Sequence, residues 1–149
     1  MMKTGDMPII VEQTFNSTAE SVWASITELE EMKKWYFENI PSFKPEVGFE
    51  TQFNIQSGER NFLHFWKVTH VRSLKLIRYE WRFDGYSGKS SSSFELFNEG
   101  NSTKLRLTVE IQEDFPDDIP EFRRESCIEG WRYFINNRLT EYLNNIQKK

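Results

Sequence analysis

The sequence predicts an α+β fold: a curved antiparallel β-sheet of about six strands, two short helices after the first strand, and a long C-terminal helix packed across the sheet. Two observations predict it. In the middle of the chain, apolar and polar residues alternate in short runs with turn-forming residues roughly every ten positions, as in an antiparallel meander. The C-terminal part repeats apolar residues at helical spacing, as in a helix that lies on a sheet. At 149 residues, one domain is expected over 1–149.

The N-terminal part predicts one strand followed by two short helices. Pro8 to Phe15 is a β-branched run suited to a strand, and residues 1–7 before it are expected to be disordered. Ser17, with Glu20 three residues later, forms a capping-box pattern, and apolar residues then recur at helical spacing. A second short helix is predicted over Glu30 to Tyr36, with its apolar residues on one side.

Five further strands are predicted in the middle of the chain, after two prolines that break the helical pattern. In the first, third and fifth of these runs residues suited to a sheet interior recur at every second position, so that one face becomes apolar, and the second run is mostly aromatic and β-branched. Clusters of Gly, Ser, Asn and Asp between the runs predict tight turns. The predicted strands are Phe49 to Ile55, Phe62 to Val71, Leu76 to Phe83, Ser90 to Phe97 and Thr103 to Glu113.

A polar loop, Asp114 to Pro120, precedes the last helix. The helix is predicted to begin near Glu121, because proline is tolerated at a helix start. Apolar residues then follow one another at intervals of four, which predicts a wide apolar stripe for a helix on a sheet. The stripe consists of Trp131, Ile135, Leu139 and Leu143.

Composition and charge narrow the class of protein. The net charge of −4 does not favour nucleic acid as a partner, because nucleic-acid-binding surfaces are basic. The single cysteine, Cys127, excludes an internal disulfide and suits a reducing compartment. The first residues do not form a secretory signal, and no run approaches the ~20 apolar residues of a membrane span. A cytoplasmic protein without a membrane span is therefore expected.

These segments resemble the START-like (SRPBCC, helix-grip) superfamily and, within it, the family of homologues of the activator of the heat-shock protein 90 ATPase. The matching positions follow the family's order over nearly the whole chain. They are Ile10 to Phe15, Ala19 to Ala24, Trp35, Gly48, Phe53, Val68 to Val71, Leu76 to Trp81, Phe94 to Leu96, Thr103 to Leu107, Gly130 with Trp131, and Tyr142 with Leu143. The resemblance implies a curved sheet that grips the C-terminal helix, with a cavity between them.

The chain departs from the family's pattern at three points. Small single-domain relatives often have a His and a Gly-Phe after the last strand, where this chain has Val109 to Glu113. Leu139 lies one residue later than the usual Leu of the terminal helix. The activators that give the family its name have an additional N-terminal domain that engages the chaperone, and this chain is too short to contain it. The resemblance alone therefore does not predict chaperone activation.

Aromatic residues make up 15% of the chain, and their bulky rings must fill the interior or line a hollow in it. Ligand pockets are mostly hydrophobic, with a few polar groups that fix the ligand's orientation. The alternative is that the same rings interdigitate as a solid core, since protein interiors are densely packed. The candidate cavity-wall residues are Trp35, Phe53, Trp66, Tyr79, Trp81, Phe94, Trp131 and Phe134.

The titratable residues are not arranged in a pattern that indicates catalysis, so we predict no catalytic residue, no metal and no cofactor. His64 and His70 are predicted to share one face of a strand, but a zinc site needs three or four ligands, and the sequence has no zinc motif. Cys127 lies on the apolar side of the last helix, and the sequence places no base beside it. We interpret the histidines as ordinary strand residues and the cysteine as an inert buried thiol.

Three functions remain open. The first is the binding of a small, largely hydrophobic molecule between the sheet and the C-terminal helix. The second, implied by the resemblance, is a chaperone-linked interaction module in the stress response, which would use the outer surface. The third is a cyclase or dehydratase acting on an apolar substrate, which would need His64 or His70 paired with a carboxylate. Both a monomer and a homodimer are compatible with the sequence.

Overall fold

The computed structural model describes residues 2–147 of the protein and has the α+β architecture that the sequence predicts. One six-stranded sheet is followed along the chain by a 3₁₀ turn, Pro120–Phe122, and by the C-terminal helix. None of the described helices is long and apolar enough to cross a lipid bilayer. The elements are β1 (Ile9–Phe15), α1 (Ala19–Thr27), α2 (Leu29–Trp35), β2 (Glu50–Ser57), β3 (Arg60–Arg72), β4 (Leu76–Phe83), β5 (Lys89–Asn98) and β6 (Thr103–Glu113).

The sheet is antiparallel throughout, with the strand order β1-β6-β5-β4-β3-β2. Tight turns connect each strand from β2 to β6 to the next one, which forms a meander. The first strand, β1, pairs with β6, so that Val11 lies opposite Leu107. Alternation places one face of each strand inward: Leu105, Leu107 and Val109 of β6 are buried, whereas the residues between them are half-exposed. The helices cover this inner face, and the core lies between the two layers.

The first helix is capped by Thr18 and not by Ser17. The Thr18 hydroxyl accepts a hydrogen bond from the Ser21 N–H at 3.2 Å, and Thr18 has the extended backbone expected of an N-cap residue. Ser17 is buried, and its carbonyl accepts a hydrogen bond from the Thr103 hydroxyl at 2.8 Å. The capping-box prediction was therefore wrong by one residue, because Ser17 is used to join the chain to β6.

The C-terminal helix keeps its apolar stripe in line through a local change of helix type. It consists of α3 (Arg124–Arg132), a π-helical segment (Tyr133–Leu139) and α4 (Thr140–Gln147). A step of four residues exceeds the α-helical turn of about 3.6 residues but falls short of the wider π turn, whose hydrogen bonds run from i to i+5. Alternating the two types therefore keeps residues four apart on one face. The predicted stripe is buried along its whole length: Trp131, Ile135, Leu139 and Leu143.

A bulge in β3 separates the two histidines. Pairing with β4 passes from Val68 opposite Tyr79 to His70 opposite Arg78, so Thr69 is an extra residue in the strand. The extra residue reverses which face the following side chains take. His64 is consequently buried, whereas His70 is exposed. The prediction that they share one face was wrong, because an unbroken alternation was assumed.

Residues 2–7 lie against the loop that follows β6. The Phe115 N–H donates a hydrogen bond to the Met2 carbonyl at 3.0 Å, and the Lys3 ammonium lies 2.8 Å from the Asp117 carboxylate. The Met2 side chain is buried against the core. Met2 thus supplies an apolar contact that sequence position alone does not reveal, while the disorder expected for residues 1–7 stays a prediction. Met1 lies outside the described residues.

Gly88, at the start of β5, packs directly beneath the ring of Phe115. Its φ angle is +112°, and a Cβ atom added there would overlap that ring. We expect Gly88→Ala to lower the free energy of unfolding by about 1–3 kcal/mol more than Gly100→Ala, because the first change adds overpacking to backbone strain. Gly100 is the matched control: its φ is +88°, and nothing lies within 4 Å of its added Cβ. Equal losses in urea unfolding would show that Phe115 moves aside freely.

Candidate functional site

A cavity of about 160 Å³ lies between the inner face of the sheet and the C-terminal helix. The helix contributes Cys127, Trp131 and Phe134 to its wall, and β4 contributes Trp81 and Phe83. Trp131 packs edge-on against Trp81, with ring centroids 5.6 Å apart, so the two layers meet beside the cavity. The wall is mostly apolar and rich in aromatic rings, as expected of a site for an apolar molecule.

Two serines supply hydroxyl groups to this aromatic wall. Ser90 and Ser92 lie two residues apart on β5, and both side chains are buried on the inner face. The Ser90 hydroxyl lies 3.5 Å from the Trp81 carbonyl, to which it donates weakly. Ser92 is 1% exposed, and its side chain lines the cavity, where its hydroxyl can meet a bound molecule.

The cavity reaches the surface beside the 3₁₀ turn. Ser126 is exposed and Glu121 is half-exposed, and both line this end. The Glu121 carboxylate lies 3.4 Å from the Arg60 guanidinium, so a charge pair joins the β2–β3 hairpin to the turn. Because both partners are partly exposed, the pair contributes at most about 1 kcal/mol and cannot hold the opening shut.

The structure divides the eight candidate wall residues into two groups. Trp81, Trp131 and Phe134 line the cavity. The other five pack next to it in an aromatic cluster: they are Trp35, Phe53, Trp66, Tyr79 and Phe94. In that cluster Trp66 lies 4.8 Å from both Phe53 and Tyr79, between ring centroids. A ligand-binding role for the eight residues stays a prediction.

Sequence reasoning missed two rings that shape this region, Tyr36 and Phe37. Tyr36 is stacked on Trp35 at 4.6 Å, and its hydroxyl lies 2.9 Å from that of Tyr79. Burial raises the pKa of both Tyr36 and Tyr79, so this pair is uncharged and its two hydroxyls satisfy each other. Phe37 lines the cavity itself. The available signal is the run Trp35-Tyr36-Phe37, which begins at the last residue of α2, but helical spacing predicts only that Trp35 and Tyr36 lie on the apolar side of that helix.

His64 is surrounded by aromatic rings and has no acidic partner among residues 2–147. Its Nδ1 lies 2.9 Å from the Phe62 carbonyl, an acceptor, which places the proton on Nδ1. Burial lowers the pKa of His64 to about 4, so the imidazole is neutral near pH 7. His70 is exposed and its Nδ1 lies 2.9 Å from the Thr69 hydroxyl. Within residues 2–147, neither histidine is paired with a carboxylate as an acid/base catalyst would require.

Cys127 borders the cavity, but its thiol is not activated. Burial raises its pKa to about 11, so little nucleophilic thiolate is present near neutral pH. Across the described part of the chain, no three His, Cys, Asp or Glu side chains are grouped closely enough to hold a metal ion. The residues around the cavity are therefore equipped to bind and orient a molecule by shape and hydrogen bonding.

Solved structures of other proteins share this fold. The Mll3558 protein from Rhizobium loti has a TM-score of 0.79 at 17% identity, covering 91% of this chain and 96% of that one. Protein CV1439 from Chromobacterium violaceum has a TM-score of 0.76 at 19% identity, covering 91% and 96%. The Aha1 dimer from Colwellia psychrerythraea has a TM-score of 0.68 at 20% identity, covering 93% and 96%. At these identities the likeness shows the fold alone.

The family comparison covers the part of the chain that contains the site. No curated protein matches the chain in sequence. The family model described as "Activator of Hsp90 ATPase homolog 1-like protein" matches residues 16–144, a range that contains every residue lining the cavity except Met2. This confirms the resemblance on which the helix-grip prediction rested. The chain belongs to the Activator of Hsp90 ATPase homolog 1-like family.

Proposed function

We propose that this protein binds a small, largely hydrophobic molecule in the cavity between the sheet and the C-terminal helix. The observation that carries the proposal is the cavity itself, whose largely apolar wall includes the hydroxyls of Ser90 and Ser92. Its volume of about 160 Å³ is small. An apolar cavity of about 150 Å³ is known to bind benzene, so one ring is the scale of ligand that fits.

The chemistry of the wall favours binding over turnover. An acid/base enzyme acting on an apolar substrate needs a positioned proton donor or acceptor with a pKa near the working pH. His64 lies behind the cavity wall, against Trp81 and Phe83, and Cys127 holds its proton. The proposed role is therefore that of a binding protein. Location in the cytoplasm remains a prediction.

Native mass spectrometry of freshly purified protein, with solvent extraction, tests the proposal when combined with a variant that fills the cavity. Gly130 lines the cavity within α3, and nothing lies within 4 Å of a Cβ atom added there. We expect wild-type protein to carry a stoichiometric small molecule and Gly130→Leu to lose it, because the leucine side chain occupies the same space. Gly130→Ala is the matched control: it leaves most of the cavity open and should retain the molecule.

The stability and circular dichroism of the same two variants show whether a loss of ligand is caused by misfolding. Replacing a helical glycine with alanine is expected to stabilise the fold by up to about 1 kcal/mol, so Gly130→Ala should unfold at a higher urea concentration than wild type. Gly130→Leu should retain the far-UV circular dichroism of the wild type. Equal amounts of extracted molecule from wild type and a folded Gly130→Leu protein would contradict binding in this cavity.

The chaperone-linked interaction module is the second candidate, and the family description is the observation that favours it. Binding would then use the outer surface and would need no cavity. Stimulation of the heat-shock protein 90 ATPase by the purified protein, unchanged in Gly130→Leu, would support this alternative. Homodimer formation also remains a prediction, since the dimer in the comparison is a property of the Colwellia psychrerythraea protein.

A further inference from the structure

A surface groove lies on the other side of one wall of the cavity. The groove has a volume of about 510 Å³ and is formed by the chain after α2, by β2 and by Arg138 of the C-terminal helix. Phe37 is the one residue that lines both the cavity and the groove within the described part of the chain. Its ring is half-buried and separates the two spaces.

Neighbouring rings hold Phe37 in this position. Its ring centroid lies 5.0 Å from that of Phe134, 5.2 Å from Phe53 and 6.0 Å from Trp81. Phe134 and Trp81 are themselves part of the cavity wall. Phe134 follows Ser126 by eight positions, about 12 Å along a helix axis. Phe37 therefore closes the cavity at the end away from the opening beside Ser126.

The two spaces differ in chemistry. The groove is lined by amides and charged groups: the Asn39 amide donates to the Asn54 carbonyl at 2.7 Å, and the Arg138 guanidinium donates to the Lys34 carbonyl at 2.8 Å. The cavity wall is mostly apolar and rich in aromatic rings. An apolar ligand that enters beside Ser126 gains free energy from burial until it reaches the Phe37 ring.

We infer that Phe37 is the end wall of the ligand site and sets how much apolar ligand the protein can bury, with uncharged single-ring compounds as the ligand class. This inference rests on the proposed function. The uncharged class follows from the wall, which offers the Ser90 and Ser92 hydroxyls, while its one carboxylate, Glu121, is paired with Arg60. A charged ligand group would be buried without a partner, which costs several kcal/mol.

A series of 4-alkylphenols, from phenol to 4-octylphenol, tests the inference by tryptophan fluorescence titration. Each buried methylene contributes about 0.8 kcal/mol, so the affinity should rise about fourfold per methylene until the cavity is full and then level off. In Phe37→Ala the cavity extends toward the groove. The affinity of this variant for 4-alkylphenols should therefore rise for about two methylenes beyond the chain length at which wild type levels off.

Phe43→Ala is the matched control. Phe43, like Phe37, lies in the chain between α2 and β2, but it is buried, lines neither space and contacts Phe49, Trp66 and Tyr79 instead. In Phe43→Ala the affinity should stop rising at the same alkyl-chain length as in wild type. If Phe37→Ala does not fold, Phe37→Leu, which removes less volume, should shift the length in the same direction.

The outcomes separate this inference from the proposed function. A shift in Phe37→Ala without a shift in Phe43→Ala supports the inference. Levelling off at the wild-type length in Phe37→Ala, or an equal shift in both variants, overturns it and leaves the proposed function standing. No binding of any 4-alkylphenol to wild-type protein contradicts the ligand class and, with it, the inference, while the molecule extracted in the native mass experiment still decides the proposed function.

Discussion

Replacing Trp35 with alanine is expected to lower the free energy of unfolding by about 3–5 kcal/mol. The Trp35 side chain is fully buried at the end of α2. Its ring is stacked on Tyr36 and meets Phe134 edge-on, and its indole N–H donates to the Ser25 carbonyl at 2.7 Å. The substitution would therefore leave a cavity, remove ring contacts on two sides and deprive a carbonyl of its donor.

Urea unfolding followed by far-UV circular dichroism measures this loss. Trp23→Ala is the first control, because Trp23 is only half-buried at the edge of the core and should cost clearly less. A loss from Trp35→Ala no larger than that from Trp23→Ala would contradict a packed environment around Trp35. It would indicate instead that this tryptophan borders a space into which its neighbours relax.

Comparison of Trp35→Phe with Trp66→Phe separates the hydrogen bond from the loss of volume. Both tryptophans are almost completely buried and both changes remove the same atoms. Trp66 Nε1 has no hydrogen-bond partner among the described residues, whereas Trp35 Nε1 has the Ser25 carbonyl. We expect Trp35→Phe to cost about 1 kcal/mol more than Trp66→Phe, since only the first change breaks a hydrogen bond.

The sheet and the C-terminal helix could be predicted because each has a period that the sequence displays. The predicted bounds of the strands Leu76–Phe83 and Thr103–Glu113 are confirmed at both ends. Alternation placed Tyr79 and Leu107 on the inner face, and both are buried. These positions depend on local pattern alone, and the burial of one apolar face is the strongest constraint on such a pattern.

Two features could not be predicted because they depend on a single inserted residue. Thr69 interrupts the alternation in β3 and moves His70 to the outside. Leu139 lies one residue late for the family, and the π-helical segment accommodates it with its side chain still buried. In both cases the sequence shows the residues but not where the regular hydrogen-bond pattern of the strand or helix is interrupted. That choice is made by packing across the two layers.

The composition of the site was predicted better than its shape. Alternation predicted that the rings of Tyr79 and Trp81 share one face of the sheet, but a ring on the inner face can pack or can border a space. Tyr36 fills the region between Trp66 and Trp81, with ring centroids 5.3 Å from Trp66 and 6.4 Å from Trp81. Its position follows from where α2 ends, and predicted element boundaries are uncertain by a few residues. The cavity is therefore displaced toward Ser90, Ser92 and Cys127.

Acidification from pH 6.5 to pH 4 is expected to cost the wild-type protein about 3 kcal/mol of stability through His64 alone. The pKa of His64 is lowered to about 4 by burial, whereas a histidine in an unfolded chain has a pKa near 6.5. Between these two pH values the unfolded chain binds a proton that the folded protein excludes. The contribution is therefore fully present above about pH 6.5 and is lost as the pH falls toward 4.

His64→Phe removes this titration while keeping an aromatic ring among Phe53, Trp81 and Phe83. Urea unfolding at pH 7 and pH 5 should show that wild type loses about 2 kcal/mol more than His64→Phe over this interval. Exposed carboxylates such as Glu12 and Asp114, whose pKa values are also lowered by their partners, are common to both proteins and cancel in the difference.

Equal losses in wild type and His64→Phe would mean that the protonated His64 is accommodated in the folded protein. That result would require water or a carboxylate to reach the ring from the cavity side, past Trp81 and Phe83. The pH dependence thus reports directly on whether the wall between the cavity and His64 is closed, which is the premise on which a binding role without acid/base catalysis depends.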